Sequence, residues 1–140
     1  MHLLHGMLLQ TSIKLLNGDK KSVKLAIIIG KLMIIASQSS CWIVCHAGLV
    51  AIERFCKMDE VTNCQEALVC FLLSRLSEYV SLNDSEMCII ILRSLQSLVQ
   101  YQMISSDLEV FVDVLLTIIE RIGDKNLVLL SSNILVLIIP

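Results

Sequence analysis

Proline is all but missing from this chain: the only one is Pro140, its last residue. Nothing before it carries the ring that removes a backbone donor and breaks a helix. Glycine occurs five times, mostly at plausible helix boundaries, and aromatic residues make up 4%. A β-sandwich would need turn signals every 8–12 residues, and they are not there. Charged residues are also sparse, at 17%, against 56% apolar. That balance excludes disordered, linker-like and collagen-like chains. What remains is one domain with enough apolar surface to bury a core.

A mean hydropathy of +0.79 raises the question of a membrane. The longest charge-free stretch, 32–52, has the length to cross a bilayer. Its middle reads Ser37-Gln38-Ser39-Ser40, and His46 follows. Polar residues at bilayer depth are costly, so a loop is the better expectation there. Lys31 and Asp113 interrupt the other long apolar runs. A membrane-associated helical protein is therefore kept as the alternative.

The first residues, Met1-His2-Leu3-Leu4-His5-Gly6, show neither a basic start nor a continuous apolar segment, so no signal peptide is expected. An intracellular protein, in cytoplasm or nucleus, follows as the expectation. Its six cysteines would then be reduced thiols, and the sequon at Asn83-Asp84-Ser85 would stay unused. Charge is unevenly spread. Residues 1–57 carry seven Lys and Arg against Asp19 and Glu53, whereas 58–140 carry four against eleven Asp and Glu.

Helix start and stop signals predict about seven helices and no strand. The first spans about 2–16 and stops at Asn17-Gly18; Asp19 caps a second, through Ala36. A third covers about 41–57, with a break expected at Gly48. Asp59 and Thr62 open the fourth, with Gln65 in capping-box position, Asn83-Asp84 the fifth, and Ser106 with Glu109 forms a capping box for the sixth. That helix stops at Gly123, and Asp124 begins a seventh, apolar almost all round and without an evident partner.

The caps Asp19, Thr62 and Ser105 stand 43 residues apart each time. Sliding the second helix by that period aligns Leu25, Leu68 and Phe111, and Ala26, Val69 and Val112. Ile28, Phe71 and Val114 coincide next, as do Ile29, Leu72 and Leu115. Met33, Leu76 and Ile119, then Ala36, Tyr79 and Ile122, complete six apolar columns. Positions 25, 29, 33 and 36 form one helical face. A fixed period of this length is the mark of a helical repeat.

With His5-Gly6 before Met7-Leu8-Leu9, then Asn17-Gly18-Asp19, a long helix and a restart at Ala47-Gly48-Leu49, the chain resembles armadillo repeats; HEAT repeats fit nearly as well. The resemblance implies an all-α, right-handed α-solenoid of about three repeats, approximately 1–40, 41–82 and 83–123, with a partial repeat 124–140. The seventh helix lacks the polar outer face of a terminal repeat, so the single domain is expected to be a fragment or isoform of a longer helical protein, or to dock against another chain. The third unit has Ile90-Ile91 where the glycine should be. No inner helix carries the Trp and Asn ladder of armadillo proteins that grip extended peptides, since Trp42 lies outside those helices.

Such a chain is expected to be a non-enzymatic protein–protein interaction scaffold without a cofactor. Lys20, Lys24 and Lys31 line one helical face, a basic patch for an acidic partner protein. With no aromatics interleaved, nucleic acid is not the expected partner. Glu66, Glu78, Glu109, Asp113 and Glu120 make the later inner helices acidic, and that polarity would suit self-association, as would an exposed apolar last helix. Ser105 and Ser106, followed by Asp107 and Glu109, are candidate phosphorylation sites at a helix start.

Chemistry has little to stand on. Cys41, Cys45 and His46, with Cys56 and Cys64 downstream, suggest a thiol or metal-dependent protein as a further alternative. Zinc sites, however, repeat a close cysteine pair, and these cysteines fall at helical core spacing. Neither a phosphate loop nor a nucleophile elbow is present, so no catalytic residue is assigned.

Overall fold

The computed structural model of the chain describes residues 20–38, 40–58, 64–99 and 105–138. These are all-helical: α1 (Lys20–Gln38), α2 (Trp42–Phe55), α3 (Gln65–Ser81), α4 (Ser85–Leu98), α5 (Ser105–Arg121) and α6 (Lys125–Ile138). Six helices are thus described where about seven were expected. The first expected one, 2–16, lies outside the described residues.

Local chemistry explains two of the helix starts. Asp84 is the N-cap of α4, and its Oδ1 accepts from Met87 N at 3.2 Å. Asp124 does the same for α6, accepting from Leu127 N at 3.0 Å. Both satisfy a donor that a helix start leaves unpaired. The turn between α3 and α4 is tightened by Asn83, whose φ of 55° is the left-handed conformation that asparagine tolerates. Asp59 and Thr62 lie outside the described residues. The N-cap of α3 is Cys64, whose side chain does not cap the helix, and Gln65 donates from Nε2 to the Leu98 carbonyl at 3.3 Å.

Three residues separate α1 from α2, α3 from α4 and α5 from α6. Each such pair packs as an antiparallel hairpin, as short connections require. Successive hairpins then meet: α4 lies against both α2 and α6, and α3 lies against α5. The most closely packed units are therefore 20–55, 65–98 and 105–138, phased differently from the boundaries expected at 40/41 and 82/83.

Two expectations are corrected. Gly48 does not break α2, which runs unbroken through it. A Cβ on Gly48 would sit 3.3 Å from Ala36 Cβ and 3.5 Å from the Leu32 carbonyl, so glycine there lets α1 and α2 cross closely. Nor does α6 lack a partner: Leu127, Ser131 and Ile134 are buried as it packs on α4 and α5. Leu129, Val136 and Leu137 remain on its exposed side.

Burial follows the 43-residue spacing in three of the six columns; Val112, Ile28 with Val114, and Ile119 leave the other three only partly covered. Leu25, Leu68 and Phe111 are all buried, as are Ile29, Leu72 and Leu115, and Ala36, Tyr79 and Ile122. The second helix of each pair behaves alike, with Cys45, Cys88 and Ser131 buried. Cysteine here serves as a small apolar side chain.

Among the described residues no helix is long and apolar enough to cross a membrane. The 32–52 stretch is split between α1 and α2 by the connection at 39–41.

Candidate interaction surface

On α1, Lys24, Ile28, Lys31 and Ile35 follow one another at intervals of four, three and four, which places them on one helical face. All four are exposed, and so is Ile27 beside them. The lysines expected to form a basic patch are therefore interleaved with isoleucines. Lys20 lies one turn earlier, in the first turn of α1, and its side chain is outside the described residues. The spacing that could have revealed the isoleucines is in the sequence, but they look like core residues until burial is known.

At the matching positions of α3 stand Ala67, Phe71, Ser74 and Glu78, of which only Ser74 and Glu78 are exposed; Glu66, Cys70 and Ser77 are exposed beside them. On α5 the exposed residues among those described are Glu109, Val110, Asp113, Leu116, Glu120 and the last-turn Arg121. The first helices of the three pairs thus pass from basic and apolar to acidic. Glu78 forms an ion pair with Arg75, whose guanidinium lies 5.6 Å from the centre of the Tyr79 ring. Ser105 and Ser106 are the first two residues of α5, at a helix N-terminus, and their side chains lie outside the described residues.

A second cluster joins α2 to α4. Trp42 Nε1 donates to Asp84 Oδ2 at 2.7 Å while the other carboxylate oxygen caps α4. The His46 ring stacks on Trp42 with centroids 4.8 Å apart, and its Nε2 lies 3.4 Å from Glu86 Oε1. This cluster was not foreseen, because Trp42 and Asp84 are 42 residues apart and only the fold brings them together. Beside it, a groove of about 660 Å³ runs along α2, lined by Ala47, Val50, Ala51, Phe55 and Met58, with Arg54 at its rim.

Of the cysteines, Cys56 and Cys64 lie close enough to influence each other. Cys41 and Cys70 are exposed, Cys45, Cys56, Cys64 and Cys88 are buried, and none is in a disulfide. Burial pushes the Cys56 and Cys88 thiols up to about 12 and that of Cys64 to about 11. Such thiols stay protonated at neutral pH. Burial likewise raises the Tyr79 phenol, which is hydrogen-bonded to Cys45. Among the described residues no three His, Cys, Asp or Glu side chains meet where an ion could be held.

Comparison with family models, with curated proteins and with solved structures gives no match to this chain.

Proposed function

We propose that the chain is a non-enzymatic protein–protein interaction scaffold, a right-handed α-solenoid of repeats of the armadillo or HEAT kind. Three features support the repeat: hairpin pairs with equal three-residue connections, packing of each pair on the next, and shared burial at positions 43 apart. Its single domain presents side chains from a stacked core rather than enclosing a substrate. Six thiols outside any disulfide suit a reducing, intracellular compartment.

The observation that carries the function is the exposed stripe of Lys24, Ile28, Lys31 and Ile35. Apolar side chains ringed by cations fit a partner helix or strap with an apolar face and flanking carboxylates. Burial of the isoleucines would supply affinity, and the lysines would supply steering and register. The partner of this reading is a protein, with no nucleic acid and no cofactor. Ser105 and Ser106 would add a regulatory charge at the far end of the same layer.

The test is quantitative co-purification from cells with the tagged full chain, against K24E/K31E and, separately, I28D/I35D. Partners that use this face should be depleted by both variants while the circular dichroism of each stays that of the parent. Recovery of the same partners in the same amounts by all three proteins would sink the proposal.

A further inference from the structure

Phe71 and Leu73 stand two residues apart on α3, so they point to opposite flanks of that helix. Both are buried, at 6% and 4% exposure. Their counterparts 43 residues away are not equally covered. Ile28, which matches Phe71 on the preceding pair, is 44% exposed, and Leu116, which matches Leu73 on the following pair, is also 44% exposed. Among the described residues the middle first-layer helix is thus covered on both flanks, while α1 is exposed at Ile28 and α5 at Leu116. The second layer repeats this at α2. Val44 and Ala47 are exposed there, whereas their counterparts on α4, Met87 and Ile90, are buried.

The two bare flanks differ in sign. Beside Ile28 and Ile35 stand Lys24 and Lys31; beside Leu116 stand Glu109, Asp113 and Glu120. In the shared register Lys24 matches Val110, one residue from Glu109, and Lys31 matches Thr117, between Asp113 and Glu120. An α5 flank laid on an α1 flank in the way α3 lies on α5 therefore brings apolar to apolar. It also brings Lys24 to the height of Glu109 and Lys31 to within about one turn of Asp113 and Glu120.

We propose that the occupant of each bare flank is a second copy of this chain, stacked head to tail. The α5–α6 end of one copy continues on the α1–α2 end of the next, with the groove on α2 receiving α6. Such a contact is heterologous, so nothing closes it at two copies and longer arrays follow with concentration. It rests on the stacked-pair geometry and not on any foreign partner. Exposed ion pairs contribute little alone and are screened by salt, so the apolar burial holds the contact and the charges set its direction.

The experiment is sedimentation velocity on the full chain over a concentration series at low and high salt. Two charge-reversed variants, K24E/K31E and E109K/E120K, are run alone and mixed in equal amounts. The parent should associate as concentration rises, less so at high salt. Each variant alone should associate roughly tenfold or more weakly, because like charges then face each other. The mixture should recover association, since each variant then offers the end the other lacks, and that recovery also proves both variants folded. A parent that stays monomeric at every concentration overturns the proposal. So does a mixture no more associated than its components, or a loss confined to the lysine variant, which would mean α1 ends meeting each other or another protein.

Discussion

The indole N–H of Trp42, the first residue of α2, donates to the carboxylate of Asp84, the N-cap of α4, at 2.7 Å. One aspartate therefore both starts a helix and ties it to the preceding hairpin. Trp42→Phe keeps the ring over His46 and loses the bond, which at this exposed site should cost about 0.5–1 kcal/mol. Asp84→Ala loses the cap as well and should cost about 1–2 kcal/mol. The combined variant should be less destabilised than the two single losses together, because both remove the same bond. Denaturant unfolding of the four proteins measures it; strict additivity would mean that Trp42 and Asp84 do not interact.

Position in the stack, and not residue type alone, should decide what a truncation costs. Phe71→Ala, in the middle pair, should lose about 3–5 kcal/mol through the cavity it leaves. Ile28→Ala, at the matching position of the first pair, should lose less than about 1 kcal/mol, because its side chain is already half in solvent. Leu73→Ala and Leu116→Ala should divide in the same direction. Urea midpoints at a protein concentration low enough to keep the chain monomeric check all four. Equal costs within either pair would mean the flanks of α1 and α5 are covered.

Much of this arrangement is legible in the sequence because its causes are local or periodic. Asp84 and Asp124 announce helix starts through their own side chains, and the column of Leu25, Leu68 and Phe111 needs only a period and a helical face. Other features are legible only once the fold is known. Gly48 reads as a helix breaker until Ala36 is seen opposite it. Ile28 and Ile35 read as core residues because an apolar side chain in a helix gives no sign of which neighbour is absent. The tie between Trp42 and Asp84 depends on how one hairpin is set against the next, which no local pattern encodes.

The approach of Gly48 to Ala36 offers a compensating pair. Gly48→Leu should destabilise by about 1–3 kcal/mol, since α1 and α2 cannot part without opening the core behind them. Gly48→Ala sets two opposing effects against each other: about 1 kcal/mol of helix propensity gained, against a Cβ held 3.3 Å from Ala36 Cβ. The net change should be within about 0.5 kcal/mol. Removing the obstacle should release the gain, so Gly48→Ala should stabilise Ala36→Gly by more than it stabilises the parent. Thermal melts of the four proteins decide this, and an identical effect in both backgrounds would remove Ala36 as the limiting contact.

The buried thiols make stability fall in alkali. Burial raises the folded-state pKa of Cys56 and Cys88 to about 12 and of Cys64 to about 11, against an ordinary value of 9.0. Between those values the unfolded chain gives up thiol protons that the folded chain keeps, so the unfolded state binds fewer protons and stability declines as pH rises. Below about pH 9 their contribution is complete and changes no further. Unfolding free energies measured from pH 8 to 11 should therefore be level at first and then drop. The drop should be smaller in Cys56→Ala and in Cys88→Ala, each of which removes one titrating group whatever it costs at neutral pH. Ellman's reagent gives the matching kinetic signature at pH 8, with Cys41 and Cys70 reacting at once and the other four only as the chain opens. Six thiols reacting together in the folded protein would contradict the burial on which the alkaline decline depends.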